Sequence, residues 1–140
     1  MGLAMTSSRA QTLAVVREAL ARFAANDVEG LLKLLDDDVE WQEPDTGGRL
    51  PWSGYYRGKS GVLIWLQALG AVDDLKIKPR EFLADGDRVV VLAHETGRMR
   101  ATGRAFDSDL ALVFTVAAGR ITAMRVFANT AAQVEAATAH

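Results

Sequence analysis

The sequence predicts an α+β fold in which three helices pack on one face of a curved, mainly antiparallel sheet. Apolar residues recur at spacings of three and four in the first part of the chain, as on a helix, and mainly at spacings of two after Asp74. Strands and helices do not alternate in βαβ order, so no parallel doubly wound sheet is expected. A chain of 140 residues is close to the common size of one domain, and residues 1–140 are predicted to form a single domain.

Two helices are predicted near the start of the chain. The run Ser8-Arg9-Ala10-Gln11 has the form of a capping box, which satisfies free amides where a helix begins. The helix that follows extends to about Ala25, and its inner face consists of Leu13, Val16, Leu20 and Phe23. Asp27 can cap a shorter second helix. The acidic run 36–38 after it is predicted to be a solvated turn.

A strand is predicted from Val39 to Pro44, because the apolar period changes to two and proline interrupts strand pairing. In this alternation Glu43 shares a face with Val39 and Trp41. The next segment, residues 45–58, holds four glycines and is predicted to be an irregular loop.

A third helix and four strands complete the predicted fold. Ser60 is expected to cap the helix, and Gly70 to end it. Asp85-Gly86 and Ala118-Gly119 are typical of tight turns between antiparallel strands. The strands are predicted at about 75–83, 88–100, 105–116 and 120–127, and no element is assigned to the alanine-rich tail from Thr130.

Composition excludes several kinds of chemistry. The chain has no cysteine, so a disulfide framework, a thiolate nucleophile and a cysteine-built metal site are excluded. Of two histidines, His140 is the last residue, which leaves His94 as the one well-placed imidazole. We therefore predict no metal and no cofactor, and expect chemistry based on carboxylates, amides, aromatics and arginines.

Charge and apolar run lengths favour a small molecule as the partner. The net charge of −2 provides no field that would attract nucleic acid or a membrane surface. The longest apolar runs have five residues, whereas a membrane span needs about twenty. Residues 1–8 lack the features of a secretory signal, so a cytoplasmic location is expected.

Known phosphate and nucleophile motifs are absent. The run Gly54-Tyr55-Tyr56-Arg57-Gly58-Lys59-Ser60 has three residues between its glycines, where a phosphate-binding P-loop needs four. No nucleophile elbow, zinc-protease motif or dinucleotide fingerprint is present either.

Glu43 is the candidate general base. A carboxylate beside an aromatic residue on the inward side of a strand is desolvated, which raises its pKa and suits it to take a proton from carbon or from water. The alternative is that Glu43 lies at the strand end beside Pro44 and contacts solvent.

His94 and Asn129 are the other candidate catalytic residues. His94 is in register with Val90 and Leu92, which predicts that it faces the interior, where it is either a hydrogen-bonded core residue or a group that orients a ligand. Asn129 alternates with Arg125 and Phe127 on the last strand and would add an amide to that face. Arg125 could contact a ligand or pair with Glu43.

Large side chains could line a ligand cavity or fill an ordinary core. The candidate lining residues are Trp41, Trp52, Tyr55, Trp65, Leu112, Phe114, Arg125 and Phe127.

Over about residues 8–136 the sequence resembles SnoaL-like members of the nuclear transport factor 2-like superfamily. The matching motifs occur in the order 26–32, 37–44, 56–58, 84–90, 102–104, 113–116, 119–121 and 129–132. The resemblance implies a cone-shaped α+β barrel around a hydrophobic pocket, and a homodimer formed through the outer face of the sheet. The superfamily includes ketosteroid isomerase, polyketide cyclases, limonene-epoxide hydrolase and members that only bind or scaffold, so the fold alone does not define function.

Residue by residue, the resemblance carries over one catalytic group. Glu43 falls where ketosteroid isomerase has its general base before a proline. The isomerase's oxyanion tyrosine corresponds to about Ala19 and its protonated aspartate to about Leu112. Many SnoaL-like relatives have histidine near Leu112 and aspartate at Asn129, and this chain has neither. The Asp-Arg-Asp set of the epoxide hydrolase is also missing.

Two functions remain open at this stage. The first is an isomerase, cyclase or lyase that acts on a small hydrophobic carbonyl-type molecule, with Glu43 as base and His94, Arg125 or Asn129 as polarising groups. The second is a non-catalytic ligand-binding or dimeric accessory module in which Glu43 is locked in an ion pair. A scaffold without a pocket would instead fill its interior with Trp41, Trp65 and Phe127.

Overall fold

The computed structural model describes residues 8–138. The N-terminal residues before Ser8, where no secretory signal was expected, and His140 lie outside this part of the chain. The elements are α1 (Arg9–Ala24), α2 (Val28–Lys33), β1 (Leu35–Glu43), β2 (Gly54–Arg57), α3 (Gly58–Ala68), β3 (Val72–Asp85), β4 (Arg88–Met99), β5 (Ala105–Ala117), β6 (Arg120–Ala128) and α4 (Thr130–Ala137). A short 3-10 turn, Leu69–Ala71, connects α3 to β3.

The six strands form one sheet in the order β2-β1-β6-β5-β4-β3. Every neighbouring pair is antiparallel except β1 and β6, which run parallel. The predicted α+β class with a mainly antiparallel sheet is therefore confirmed. The prediction of three helices was incomplete, because a fourth helix, α4, follows the last strand; in addition, α3 follows the first two strands.

Local signals in the sequence account for several element boundaries. Ser8 Oγ accepts from the Gln11 amide at 3.1 Å and the Gln11 side chain accepts from the Ser8 amide at 2.9 Å, so the capping box is confirmed. Asp27 caps α2 by accepting from the Gly30 amide at 2.9 Å. The turn between β5 and β6 places Ala118 and Gly119 at φ of 51° and 77°, the left-handed values that a two-residue hairpin turn requires.

Two assignments were wrong because backbone pairing overrides local polarity. The acidic run 36–38 lies within β1 and is not a separate turn, since Leu35 and Glu40 both pair with β6; the register shifts between these two residues, so the run is an irregular part of the strand. Part of the segment expected to be a loop forms β2, whose Gly54 and Arg57 pair with Glu43 and Glu40 of β1.

The ends of α3 and of the chain also differ from expectation. The helix α3 begins at Gly58 with Arg57 at its cap position, so Ser60 lies inside the helix and does not cap it. The alanine-rich tail forms α4, whose buried residues are Gln133 and Ala136. This helix matters for the site described below, because Gln133 points into the interior.

The core lies between the helices and one face of the sheet. Trp41 of β1 is at its centre and is 3% exposed. Its ring packs edge-on against Trp65 of α3 at 5.2 Å and against Phe114 of β5 at 6.4 Å between centroids. Within residues 8–138, no helix is long and apolar enough to cross a membrane.

Candidate active site

A narrow apolar cavity lies between the inner face of the sheet and helices α1, α3 and α4. Its cavity volume is about 50 Å³, so the space is small with the side chains in these positions. Among the described residues, its polar lining side chains other than tryptophan are Glu43, Glu95 and Gln133, and no lysine, arginine or histidine lines it. The remaining lining is aliphatic and aromatic, and it includes the predicted residues Trp41, Trp52, Trp65, Leu112 and Phe114.

The mouth of the cavity opens towards a wider surface groove between α1 and β3. The cavity and the groove share six apolar lining residues, namely Leu20, Phe23, Leu69, Val72, Leu75 and Ile77. The outer part of the groove also has charged lining residues, among them Arg17, Asp74 and Lys76.

Glu43 reaches the cavity because it ends the inward-facing alternation of β1. Its side chain is buried, with 8% of the residue exposed, and Trp65 Nε1 donates a hydrogen bond of 2.8 Å to Glu43 Oε2. Burial raises the pKa of Glu43 from 4.5 to about 8; the Trp65 hydrogen bond lowers this pKa, and the charge of Glu95 raises it. The side chain of Glu43 is thus inward and mostly desolvated, and the same residue also borders a surface groove beside Pro44 at the end of the strand.

A second buried carboxyl, Glu95, was missed by the sequence analysis. It is 9% exposed and accepts a hydrogen bond of 2.6 Å from Gln133 Nε2, so α4 supplies its partner. Burial raises the pKa of Glu95, while the Gln133 hydrogen bond and the charge of His94 lower it. The sequence did contain an indication that Glu95 is buried, because alternate residues of β4 share the inward face. These residues are Val89, Val91, Ala93 and Glu95.

Each buried carboxyl has one oxygen available to a ligand. Glu43 Oε1 and Glu95 Oε2 have no hydrogen-bond partner within residues 8–138. Neither carboxyl has an ion-pair partner in the same range. The arrangement can therefore hold a proton or release one to a molecule inside the cavity.

His94 does not join these carboxyls. The expectation that it faces the interior is wrong, because successive residues of a strand alternate and the inward positions of β4 are those of Ala93 and Glu95. His94 lies on the opposite face, where its Nδ1 is 2.8 Å from Asp109 Oδ1 and its Nε2 is 3.7 Å from Asp107 Oδ1.

Four further predicted residues also lie away from the cavity. Arg125 stacks over the ring of Phe127 at 4.7 Å, and Phe127 is 47% exposed, so both occupy the outer face of β6 and no Arg125–Glu43 pair forms. Tyr55 is exposed and its hydroxyl donates to Glu40. Asn129 precedes α4 at its cap position and does not line the cavity. The geometry thus separates Glu43 from all the polar partners that were expected for it.

Ala19 and Leu112 do line the cavity. These are the positions at which the resemblance to ketosteroid isomerase implied a tyrosine and an aspartate. Because both side chains are apolar in this chain, the hydrogen-bonding groups of the cavity come from other positions, chiefly Glu43 and Glu95.

The fold and the cavity define a class of protein with a helix-covered, mostly antiparallel sheet around an apolar interior cavity. Residues 16–124 match the SnoaL-like domain family, and the chain belongs to that family. The family assignment agrees with the resemblance found in the sequence.

Relatives and solved structures support the same assignment. An uncharacterized protein from Mycobacterium tuberculosis (strain ATCC 25618 / H37Rv) is 31% identical over 117 residues, which cover 82% of this chain and 86% of the relative. An NTF2-like protein from Burkholderia xenovorans LB400 is 30% identical with a TM-score of 0.85, covering 94% of this chain and 98% of that one. TerC, crystallised with polyporic acid, is 28% identical with a TM-score of 0.83, covering 91% and 98%.

Proposed function

We propose that this SnoaL-like protein is an enzyme that transfers protons on a small, mostly apolar molecule with a carbonyl-type group, as an isomerase, cyclase or lyase. The observation that carries the proposal is Glu43, a carboxyl buried in an apolar cavity with one oxygen free and no cationic partner in the described chain. A carboxyl that served only the core would be expected to have both oxygens satisfied.

The protonation state of Glu43 fits this chemistry. Because its pKa is about 8, the side chain is mainly protonated at pH 7 and can donate to a carbonyl oxygen, and a small rise in pH makes it a base. This differs from the initial hypothesis, in which Glu43 acts only as a base. The apolar walls favour the neutral carboxyl and a ligand with few charges.

The test is hydrogen–deuterium exchange on a simple ketone. We chose 2-tetralone as the probe because it joins a carbonyl with exchangeable neighbouring hydrogens to an apolar aromatic body. The protein is incubated with it in D₂O, and mass spectrometry measures deuterium uptake at carbon. Glu43→Gln, which keeps size and loses the titratable proton, is expected to lower the protein-dependent rate by about 100-fold or more.

Glu40→Gln is the matched control, because Glu40 lies on the exposed side of the same strand. This variant is expected to exchange at the wild-type rate. If the wild-type protein exchanges no faster than Glu43→Gln, the proposed function is rejected.

Binding without turnover is the second candidate function. It is favoured by the apolar side chains at Ala19 and Leu112, which leave few groups to stabilise charge on a substrate. Native mass spectrometry with 2-tetralone and with polyporic acid, the compound bound in the TerC crystals, would separate the two functions. A complex that forms equally well with wild type and Glu43→Gln, without any exchange, supports binding alone.

A homodimer through the outer face of the sheet is also proposed. One row of this face crosses three strands with Leu92, Ala111 and Phe127 in register, and Leu92 and Phe127 are exposed. An exposed apolar row is expected to bury itself against a second copy. Light scattering after size-exclusion chromatography should give twice the chain mass for the wild type and the chain mass for Leu92→Glu; the chain mass for both would reject the dimer.

A cytoplasmic location stays a prediction from the sequence.

A further inference from the structure

We propose that Glu95, positioned by Gln133 of α4, is the second proton-transfer group of the cavity and works in concert with Glu43. This inference rests on the proposed function and specifies its substrate as a ketone with a hydrogen on the carbon next to the carbonyl. Glu95 takes that hydrogen as a proton, and Glu43 gives its proton to the carbonyl oxygen.

The two carboxyls share one cavity although they belong to distant parts of the sheet. Glu43 ends β1 and Glu95 lies on β4, with β6 and β5 between their strands. Both side chains line the same apolar space, and each is at least nine-tenths buried. Because both carboxyls line one cavity, a molecule inside it has two titratable groups among its surroundings, as paired acid and base catalysis requires.

Gln133 fixes the orientation of Glu95. It is 4% exposed, and its amide donates to Glu95 Oε1 at 2.6 Å, which leaves Oε2 for the ligand. Two contacts anchor the helix that carries it: Thr102 Oγ1 donates to the Ala136 carbonyl at 2.6 Å, and Arg104 pairs with Glu135 at 3.8 Å. Gln133 is thus a positioning residue that acts through Glu95.

A buried serine hydroxyl lies on the strand next to Glu95. Ser108 of β5 is the cross-strand partner of Glu95, and its side chain is buried on the same inward face. Its Oγ has no hydrogen-bond partner in the described chain. Ser108 is not among the residues that line the cavity, so its unpaired hydroxyl belongs to the packed core and not to the ligand site.

The surroundings of the two carboxyls assign their roles. Burial raises the pKa of both carboxyls, and each accepts one hydrogen bond that opposes this rise. The charge of His94 further favours ionised Glu95, whereas the charge of Glu95 disfavours ionised Glu43. The other charged side chains near Glu95 on the neighbouring elements are exposed, namely Lys76 and Lys78 on β3, Asp107 and Asp109 on β5, Arg104, and Glu135 on α4. Glu95 is therefore the carboxyl expected to ionise first, and Glu43 the one that keeps its proton.

The reaction step balances without a further reactant. The Glu95 carboxylate removes the proton from the carbon next to the carbonyl, and the C–H electron pair becomes the new C=C bond. The C=O π pair moves to oxygen and takes the proton of Glu43. The products are the enol, protonated Glu95 and the Glu43 carboxylate. The reverse steps return a proton to the same carbon, which gives hydrogen exchange. In a ketone with a C=C bond beyond that carbon the product is a dienol, and its protonation by Glu95 at the far carbon, with return of the hydroxyl proton to Glu43, completes an isomerisation.

The test extends the 2-tetralone exchange assay to Glu95→Gln, with Glu81→Gln on the exposed surface of β3 as the control. Glu95→Gln is expected to lower the exchange rate about 100-fold, and Glu81→Gln to leave it unchanged. The pH profile of the wild-type rate should rise as Glu95 ionises and fall above about 8 as Glu43 loses its proton. Gln133→Leu should move the rising limb to higher pH, because Glu95 loses the donor that stabilises its charge.

The outcomes separate this inference from the proposed function. If Glu95→Gln exchanges like the wild type while Glu43→Gln does not exchange, this inference is wrong and the proposed function stands. If the wild type shows no exchange above Glu43→Gln, both fail. Partial recovery of the rate in Glu95→Asp, together with an unchanged thermal midpoint in Glu95→Gln, would show that the carboxyl matters for proton transfer and not only for packing of α4.

Discussion

Trp65 and Glu43 are 22 residues apart in the chain and are joined by a hydrogen bond of 2.8 Å from the indole Nε1 to Oε2 of the carboxyl. The bond connects α3 to the end of β1 inside the core, where the Trp65 ring also packs edge-on against Trp41. It fixes the orientation of the carboxyl and leaves the second oxygen without a hydrogen-bond partner in the described chain. Trp65 of helix α3 thereby lowers the pKa of Glu43 in strand β1, against the larger effect of burial.

Trp65→Phe should raise the pKa of Glu43 above its value of about 8, because the Trp65 donor stabilises the ionised form. The measurement is a pH titration of the glutamate side-chain carbons by ¹³C NMR. We also expect a loss of about 1–3 kcal/mol in the free energy of unfolding, since a buried acceptor loses its partner. Trp52→Phe is the control, because Trp52 lines the same cavity and makes no hydrogen bond to Glu43; an equal shift in both variants would contradict the assignment.

Protein stability should fall between pH 4.5 and about 8. Glu43 binds its proton more tightly in the folded protein than in the unfolded chain, so unfolding releases a proton in this window and the free energy of unfolding decreases as pH rises. The decrease can reach about 5 kcal/mol and is complete above the folded pKa. Urea unfolding at pH 5 and pH 8 tests this. Glu43→Gln should lose less stability over that interval, and equal losses in both proteins would refute the effect.

Glu95→Gln should lower the pKa of Glu43, because the charge of Glu95 is one of the influences that raise it. The same ¹³C titration measures the shift. Asp107→Asn on the exposed face of β5 also removes one negative charge, but it should leave the Glu43 titration unchanged. No change in Glu95→Gln would mean that the two carboxyls do not interact across the cavity.

Gly97→Ala should destabilise the fold and narrow the cavity. A methyl group at Gly97 would lie 2.6 Å from Val72 Cγ1 and 2.9 Å from Phe106 Cζ, and both of those side chains line the cavity. Moving them costs about 1–3 kcal/mol, which urea unfolding would measure. Gly70→Ala is the control, because a methyl group there meets nothing within 4 Å. Equal stability of the two variants would show that the neighbours of Gly97 yield without cost.

Much of the fold followed from local patterns in the chain. The capping box at Ser8, the Asp27 cap and the Ala118-Gly119 turn depend on neighbouring residues only, so the sequence alone predicted them correctly. The inward position of Glu43 followed from the period of two along β1 in the same way. Errors arose where pairing with a distant strand outweighs local polarity, as in the acidic start of β1 and the short strand β2.

The composition of the site was decided by tertiary structure. The sequence determined that this chain is a SnoaL-like protein with few polar groups for its interior, and it identified Glu43. The polar groups around that carboxyl depended on how the strands and helices pack together. Successive residues of β4 face opposite sides of the sheet, so His94 lies outward and Glu95 inward. Helix α4 then brings Gln133 to Glu95, although the two residues are 38 positions apart in the chain. The burial of a side chain and its pKa depend on many contacts between segments that are distant in the chain. For that reason Glu95, the second carboxyl of the cavity, was identified only in the folded structure.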